Sequence, residues 1–407
     1  KAVEELTGDA RLAADKLLAT GVTPQAYAKD VMDSADLLVD ALLGTGLDRE
    51  VSGTMKNWIE AINTSGKPVF AVDIPSGLSA DTGQVMGVAV KAVATVTFIG
   101  LKQGLLTAQG PDCSGVLYFD DLDSTDAAHE SMVPASWRID YSECKTWLKP
   151  RRRCAHKGDS GHVLVIGGES GFAGACRMAA EAAARTGAGL VSIATRAHNA
   201  PMICAARPEL MAHGVEQADA LDSLLARASV IAIGPGLGQS SWSRELFARS
   251  LESKLPLVVD ADALNMLAEE PASSDRWILT PHPGEAARLL QCSPADIQAD
   301  RFAAATELRS RYGGVVILKG CGTLVLDEQE QLSICTDGNP GMASGGMGDV
   351  LSGVIAGLLA QKLTLSSAAR LGVCLHAHAG DLSAGAGERG MLACDLMPFI
   401  RQLANPC

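Results

Sequence analysis

The stretch that decides the fold reads NPGMASGGMGDVLSG and spans Asn339–Gly353. It leads into an apolar segment that continues to Ala360, so a flexible glycine-rich loop opens a helix. The first backbone N–H groups of a helix have no intrahelical partner, and the helix dipole adds partial positive charge there. We therefore expect an anion-binding loop whose amides come from Gly345, Gly346, Met347 and Gly348.

Asp349 follows this loop and lies in the first turn of the predicted helix. A carboxylate beside a bound phosphate suits phosphoryl transfer, because it can accept the proton of the hydroxyl that attacks phosphorus. A glycine-rich turn capped by an aspartate has the same pattern without any catalytic role. The loop alone leaves both interpretations open.

The bulk composition narrows the function classes. The chain has 407 residues and a net charge of −13, and 47% of its residues are hydrophobic. This length accommodates two domains. The acidic balance argues against a nucleic-acid partner, which would require an excess of Lys and Arg. No apolar run reaches the roughly 18 residues of a membrane helix, so we expect no membrane partner.

The cysteines indicate the compartment. There are 11 of them, an odd number, and no two form a CxxC pair. This pattern favours reduced thiols over a disulfide framework, and it predicts a cytoplasmic protein.

Short apolar strands alternate with helical patterns in both halves of the chain, which predicts parallel sheets covered on both faces. In the first half the predicted strands are Leu37–Ala41, Pro68–Ile74 and Val93–Ile99. We predict an α/β protein with two doubly wound α/β domains, the first a partial Rossmann-like domain. The predicted ranges are 1–125 for the first domain, 126–150 for a polar linker and 151–407 for the second domain.

Asp40 and Asp73 each end a predicted strand of the first half and precede a glycine-containing loop. Ligands of parallel sheets bind beyond the carboxyl ends of the strands. Either aspartate alone has an ordinary interpretation as a strand-ending cap. Two of them at equivalent ends predict a shared site.

Strand ends of the second half also carry special loops. The glycines of GPGLG allow a ligand to approach the backbone, and His282 is held between two prolines. Lys319 ends an apolar strand, where its ammonium suits either a nucleotide phosphate or a solvated sheet edge. Oxygens of Asp260, Asp262 and Asn265 suit either Mg²⁺ or a helix cap.

The ordered motifs of the second half resemble the ADP-dependent NAD(P)H-hydrate dehydratases, which have a ribokinase-like fold. They read GFAGACRMAA, IGPGLG, DADALN, TPHPGE, LKGCGT and NPGMASGGMGDVLSG. In the first half, VDALLGTGLDREVSG and VDIPSG look like the NAD(P)H-hydrate epimerase domain. The chain as a whole therefore resembles the bifunctional NAD(P)H-hydrate repair family. Met347 stands where many members carry Ser or Thr, and only its backbone amide is needed in the loop.

The resemblance also contains one large departure. The epimerase domain of the family begins with a Gly- and Asn-rich loop that contributes to substrate and potassium binding, and this sequence does not contain that loop. We therefore expect an epimerase half that lacks its amino-terminal part, which puts its activity in question.

The resemblance implies roles for residues of the dehydratase half. Asp349 would act as the base, with loop amides stabilising the charge of the transferred group. The hydrate would lie against Ala175, Gly236, His282 and Asp349. The nucleotide would lie along Lys319, Gly320, Cys321, Gly322 and Thr323, and against Gly348.

For the epimerase half, the resemblance implies potassium near Asp40 and Ser76. It implies hydrate contacts from Gly44, Thr45, Gly46, Leu47, Asp48, Arg49, Glu50 and Asp73. The implied substrates are NADH hydrate and NADPH hydrate, and the implied cofactors are ADP, with ATP as the alternative, Mg²⁺ and K⁺. A homo-oligomer is expected as well.

Two rival functions remain open at this point. One is a small-molecule hydroxyl kinase of the same fold, which the GGMGD loop alone fits equally well. The other is a non-catalytic nucleotide-sensing module, against which an intact Asp349 counts.

Overall fold

The computed structural model describes residues 3–25, 29–125 and 132–405. The strands are β1 (Leu38–Asp40), β2 (Val69–Val72), β3 (Ala94–Phe98), β4 (Val116–Asp120), β5 (Trp137–Ile139), β6 (His162–Ile166), β7 (Leu190–Thr195), β8 (Met211–Gly214), β9 (Val230–Ile233), β10 (Leu257–Val259), β11 (Trp277–Leu279), β12 (Val315–Leu318), β13 (Thr323–Leu326) and β14 (Leu332–Cys335).

Helices separate most of these strands. They are α1 (Gly8–Ala19), α2 (Lys29–Ser34), α3 (Gly53–Thr64), α4 (Gly110–Ser114), α5 (Tyr141–Cys144), α6 (Ala173–Thr186), α7 (Ala200–Ala206), α8 (Asp222–Leu225), α9 (Ser241–Glu252), α10 (Ala261–Glu269), α11 (Pro283–Leu290), α12 (Pro294–Ala299), α13 (Arg301–Tyr312), α14 (Met347–Ala360), α15 (Leu365–Ser383) and α16 (Met397–Leu403). Within the described ranges, no helix is both long enough and apolar enough to span a membrane.

The first sheet has four parallel strands in the order β1-β2-β3-β4. Helix α3 connects β1 to β2, as the alternating pattern predicts. The connection from β2 to β3 differs from that prediction, because residues 73–93 form turns and one isolated bridge, Leu78 to Val85. These turns bring Asp73 and Ser76 to the carboxyl end of the sheet.

The second sheet has ten strands in the order β5-β14-β13-β12-β11-β10-β9-β6-β7-β8. The seven strands from β12 to β8 run parallel, and β13 is antiparallel to both of its neighbours. Every residue of β9, β10, β11 and β12 is buried, which explains their nearly unbroken apolar sequences. The predicted class of two α/β domains is confirmed.

Part of the predicted linker is ordered sheet. Strand β5 lies inside the range 126–150 and pairs in parallel with β14, with Arg138 opposite Ile334. Ile139 is buried in the core of the second sheet, and its burial stabilises the pairing of this short polar segment. Residues 126–131 of the predicted linker lie outside the described residues. The exact domain division stays a prediction.

The two halves share one hydrophobic core. Leu78 and Leu105 of the first half belong to the same buried cluster as Leu318 and Leu324 of the second half. Each fully buried side chain of this size contributes about 1.5–3 kcal/mol. The contact between the halves is therefore a packed interface.

Helix α14 follows the predicted anion-binding loop and is buried along most of its length. It packs tightly on α6 because Gly353 and Gly357 present no side chains there. A Cβ atom at Gly353 would lie 2.0 Å from the carbonyl oxygen of Ala179. This close helix pair fixes the position of the loop relative to the sheet.

Candidate active site

The candidate active site lies at the carboxyl ends of β9 to β12, where the amino terminus of α14 meets them. Strands that run parallel end at the same edge, so their loops converge. A Cβ atom at Gly348 would lie 3.2 Å from Lys319 Nζ and 3.7 Å from Asp260 Oδ2. Loops that are far apart in sequence thus form one cleft.

The predicted anion-binding loop leads into the amino terminus of α14. Gly346 is the amino-terminal cap of α14 and has a φ of 91°, a conformation that favours glycine. A Cβ atom at Gly345 would meet nothing within 4 Å, so its backbone faces open space. Two buried polar atoms, Ser344 Oγ and His376 Nε2, have no hydrogen-bond partner among the described residues. Such atoms are uncommon in proteins, and here they leave hydrogen-bonding capacity beside the loop.

Asp349 lies in the first turn of α14, and the pKa of its carboxyl is strongly shifted. Burial raises the pKa of its carboxyl to about 7, and the negative charge of Asp260 adds to this shift. Lys319 opposes the shift only in part. Within the described part of the chain, the Asp349 carboxylate accepts no hydrogen bond. A carboxyl group that titrates near neutral pH is well matched to accepting a proton.

Lys319 forms a buried ion pair with Asp260. Its Nζ lies 2.8 Å from Asp260 Oδ1 and 3.8 Å from Glu285 Oε2. Burial alone would raise the pKa of Asp260, but the charge of Lys319 and its hydrogen bond hold that pKa below the usual value. The sequence leaves Lys319 either at a nucleotide phosphate or at a solvated sheet edge. In the structure, the ion pair holds it inside the cleft.

Two hydroxyl groups complete the surroundings of Asp260. Thr280 Oγ1 donates to Asp260 Oδ1 at 2.8 Å, and Ser352 Oγ donates to Oδ2 at 2.8 Å. The sequence analysis missed both, although Thr280 belongs to the quoted motif TPHPGE. These bonds tie β10, β11 and α14 together beneath the cleft.

His282 caps helix α11. Its Nδ1 accepts hydrogen bonds from the backbone N–H groups of Gly284, at 2.9 Å, and Glu285, at 3.3 Å. Burial and the charge of Lys319 lower the pKa of the imidazole, which favours its neutral form. Because Nδ1 accepts, the proton of the neutral ring lies on Nε2. This Nε2 donor lies 3.5 Å from Glu285 Oε1, and half of the His282 side chain is exposed.

Gly236 and Ala175, both predicted to contact the hydrate, lie side by side. Gly236 has a φ of 58°, and a Cβ atom there would lie 3.1 Å from the Ala175 Cβ. The same atom would lie 2.7 Å from the carbonyl oxygen of Phe172. The glycine therefore lets the GPGLG loop pack against the start of α6.

The predicted nucleotide loop, from Lys319 to Thr323, packs against the first half of the chain. Thr107 Oγ1 lies 3.0 Å from the carbonyl oxygens of both Cys321 and Gly322. Gly322 has a φ of 61°, and a Cβ atom there would lie 2.0 Å from the carbonyl oxygen of Leu106. Gly320 and Cys321 remain exposed. The loop is thus one side of the junction between the two halves.

Arg301 holds this junction together, and the sequence analysis did not identify it. Its guanidinium is buried and donates to Thr107 Oγ1 at 3.1 Å and to the carbonyl oxygen of Leu318 at 3.1 Å. Longer bonds of 3.4 Å reach the carbonyl oxygens of Lys319 and Gly322. Burial lowers the pKa of Arg301 to about 10, and no described carboxylate pairs with it.

The three oxygens considered for Mg²⁺ have separate partners. Asp260 pairs with Lys319, Asp262 Oδ2 accepts from Gly238 N at 2.8 Å, and Asn265 Oδ1 accepts from Arg288 at 2.8 Å. In the ranges that the structure describes, no three His, Cys, Asp or Glu side chains group as metal ligands. The structure therefore does not assemble them as one protein-only magnesium cage.

In the first half, Asp40 and Ser76 lie in direct contact. Ser76 donates through its backbone N–H to Asp40 Oδ2 at 2.7 Å and through its hydroxyl to Oδ1 at 2.6 Å. Both residues are buried. The loop that continues through Gly44–Glu50 is mostly exposed, and Leu43 N ties its beginning to Ser76 Oγ at 2.8 Å.

Asp73 has a left-handed backbone, with a φ of 70°, which is uncommon for a residue with a side chain. Its Oδ1 atom forms an ion pair with Lys102 and accepts a hydrogen bond from Phe98 N at 3.1 Å. The sequence analysis missed Lys102, because nothing in its local pattern indicates this contact. These contacts hold Asp73 at the carboxyl edge of the first sheet, where the sequence predicts a site shared with Asp40.

The fold and the cleft define a nucleotide-handling α/β enzyme of the ribokinase-like class. A sequence model described as NAD(P)H-hydrate dehydratase matches residues 163–402, and one described as YjeF-related protein N-terminus matches residues 2–104. The bifunctional NAD(P)H-hydrate repair enzyme of Coxiella burnetii is 49% identical over 403 residues, which are 99% of this chain and 83% of that protein. The Escherichia coli repair enzyme is 48% identical over 377 residues, covering 92% and 72% respectively.

The chain belongs to the family of bifunctional NAD(P)H-hydrate repair enzymes. Among solved structures, it is similar to the ADP/ATP-dependent NAD(P)H-hydrate dehydratase from Bacillus subtilis, co-crystallised with ATP and Mg²⁺. That likeness has a TM-score of 0.61 and 28% identity, and it covers 66% of this chain and 97% of the other. The expectation that the epimerase half lacks its amino-terminal part finds no support in these matches.

Proposed function

We propose that the second half of the chain dehydrates the S form of NADH hydrate and NADPH hydrate at the expense of ADP. The products are NADH or NADPH, AMP and phosphate. The observation that carries this proposal is the carboxyl of Asp349, whose pKa is raised to about 7 beside a glycine loop that opens α14. Kinase-like chemistry solves a specific problem here, because hydroxide is a poor leaving group and phosphate is a good one.

The reaction balances in two stages. In the first, Asp349 takes the proton of the ring hydroxyl, whose oxygen forms a bond to the terminal phosphorus of ADP. The bond from that phosphorus to the AMP oxygen breaks. In the second stage the carbon–oxygen bond breaks, phosphate leaves with the bonding electrons, and the neighbouring carbon loses a proton to restore the ring double bond.

The surrounding residues stabilise charge and bind the two substrates. The amides of Gly345–Gly348 stabilise the charge on the transferred phosphoryl group. The Nε2 proton of His282 is a donor for the hydrate, which would rest against Ala175 and Gly236. The nucleotide would lie against Gly348 and along the loop from Lys319 to Thr323.

We expect Mg²⁺ to bind at this site together with the nucleotide. Among the carboxylates of the cleft, Asp262 keeps Oδ1 free of hydrogen bonds from described residues, while its Oδ2 binds Gly238 N. We therefore expect Asp262 to hold Mg²⁺ directly or through water, where the ion would neutralise phosphate charge. ADP is the expected nucleotide, with ATP as the alternative.

For the first half we propose epimerisation of the R and S hydrates. The sequence-implied contacts are Gly44–Glu50 and Asp73, and Lys102 now joins them as the partner of Asp73. A potassium ion is expected at Asp40 and Ser76. In its support, Asp40 is buried and no Lys, Arg or His among the described residues pairs with it.

The wider setting is part of the same proposal. We expect a cytoplasmic homo-oligomer whose partners are small-molecule hydrates.

The decisive experiment follows the products. The protein is mixed with NADH hydrate, Mg²⁺ and K⁺, and then with ADP or ATP, while the dihydronicotinamide absorbance and free phosphate are measured together. Both should rise in equal amounts. A stable phosphorylated product without recovered absorbance would instead identify a hydroxyl kinase. Nucleotide binding without any product would identify a sensing module.

A further inference from the structure

A second cavity, of about 420 Å³, lies between α6, α7 and α16. Four arginines line it, namely Arg177, Arg185, Arg207 and Arg401. Arg177 follows Ala175 by two positions on α6, which is about 200° around the helix axis. The cavity therefore opens on a different face of α6 from the proposed hydrate site.

One carboxylate stands among these guanidinium groups. The side chain of Glu181 is only 5% exposed and lies 3.6 Å from Arg177 and 3.5 Å from Arg185, and it also pairs with Arg207. One buried carboxylate needs one cation to balance it. Four arginines against one glutamate leave three positive charges in a chain whose net charge is −13.

Some hydrogen-bond donors of the cavity residues have no partner among the described residues. Arg207 Nε is buried without a hydrogen-bond partner, and the guanidinium of Arg401 makes no ion pair or hydrogen bond with any described residue. Guanidinium groups present parallel N–H donors that match the oxygens of phosphate. Glu181 therefore explains part of the cluster, and the rest is suited to an added anion.

Part of the cavity lining is less polar. Met397 and Pro398 lie at the start of α16, and Cys394 lies just before it. A volume of about 420 Å³ is in the range of small-molecule sites. A ligand that matches both the arginines and this less polar part of the lining carries a phosphate group and a ring with an apolar face.

We propose that this cavity binds a nucleoside monophosphate at a site separate from the cleft of Asp349. The phosphate would contact Arg401 and Arg207, and the base would pack on Met397 and Pro398. Neither the epimerase nor the dehydratase reaction requires this site. The proposal goes beyond those activities and does not depend on them.

Three exposed cysteines allow the sites to be probed separately in the intact chain. Cys394 lines the cavity, Cys321 belongs to the proposed nucleotide loop, and Cys292 lies outside both. Each thiol is alkylated with iodoacetamide, and its rate of modification is followed by peptide mass spectrometry with increasing AMP. Adenosine serves as the uncharged comparison.

AMP should slow alkylation of Cys394, and adenosine at the same concentration should not. Arg401→Ala should raise the AMP concentration needed for half protection of Cys394 by about tenfold, because one charged contact is lost. Its control is Arg311→Ala, which makes the same charge change at an exposed arginine of α13 outside the cavity. Cys292 should react at the same rate throughout.

Protection of Cys321 reports the cleft and has no bearing on the cavity. Three results would overturn the proposal: no protection of Cys394, equal protection by adenosine, or equal half-protection in Arg401→Ala and Arg311→Ala.

Discussion

Each half of the molecule places a Lys–Asp pair at the carboxyl edge of its sheet, and the two pairs differ in their surroundings. Lys319 and Asp260 have side chains that are 19% and 2% exposed, beside Asp349 and Glu285. Lys102 and Asp73 are 18% and 29% exposed. The buried pair lies beside Asp349, where burial raises the pKa of that carboxyl and the negative charge of Asp260 adds to the shift. The Lys102–Asp73 pair is instead partly exposed to solvent. The raised pKa of Asp349 therefore supports the proposed dehydratase site, whereas the proposed epimerase site rests on contact geometry.

The largest expected effect comes from removing the base. Asp349→Asn should lower the dehydratase kcat by about 10²–10⁴-fold, because the amide cannot accept the hydroxyl proton. Nucleotide binding, measured by calorimetry, should persist because the loop amides are unchanged. Epimerisation, followed by NMR of the hydrate mixture, serves as the internal control. Undiminished dehydratase turnover would disprove the assignment of the base.

Breaking the two ion pairs tests the comparison directly. Lys319→Met leaves Asp260 buried without its cation and should cost about 3–5 kcal/mol of unfolding free energy. Lys102→Met leaves Asp73 in contact with solvent and should cost about 1 kcal/mol or less. Both values are measured by urea denaturation of the whole chain. Equal losses of unfolding free energy in the two variants would show that burial does not make one ion pair more important for stability than the other.

The pH profile sharpens the same comparison. Asp349 must be deprotonated to act, and burial raises its pKa to about 7. The dehydratase kcat should therefore rise about tenfold per pH unit in acid solution and level off above neutrality. Stopped assays of phosphate release measure this profile. A rate that stays constant from about pH 5 to about pH 8 would contradict a raised pKa at the base.

The sequence predicts the parts of the molecule that depend on local pattern. Strand-end loops such as GPGLG and TPHPGE are recognisable because apolar strands precede them, and Gly346 reveals the helix start. Contacts between distant segments are not predictable in this way. Arg301 meets Thr107 across 194 positions, and β5 joins a sheet whose other strands begin later in the chain. The pKa of Asp349 also follows from burial, which packing of the whole domain decides.

The junction between the halves offers a smaller, measurable effect. Thr107→Val removes the hydroxyl that holds the carbonyl oxygens of Cys321 and Gly322 and leaves Arg301 with a lost acceptor. We expect the KM for ADP to rise about three- to tenfold, with less change in kcat, because the loop loses its support. Thr107→Ser keeps the hydroxyl and should restore the KM. Reduced stability with an unchanged KM would make the junction structural only.

The smallest effect is expected at Met347, whose side chain is buried and whose backbone amide belongs to the proposed anion-binding loop. Met347→Leu keeps the volume and should cost less than about 1.5 kcal/mol, with kcat within about twofold of the original. Gly346→Ala is the matched contrast, because it places a Cβ atom 2.6 Å from Met178 Cε at a φ of 91°. That variant should lose far more activity. If Met347→Leu lost as much, the loop would depend on this side chain as well as on its amides.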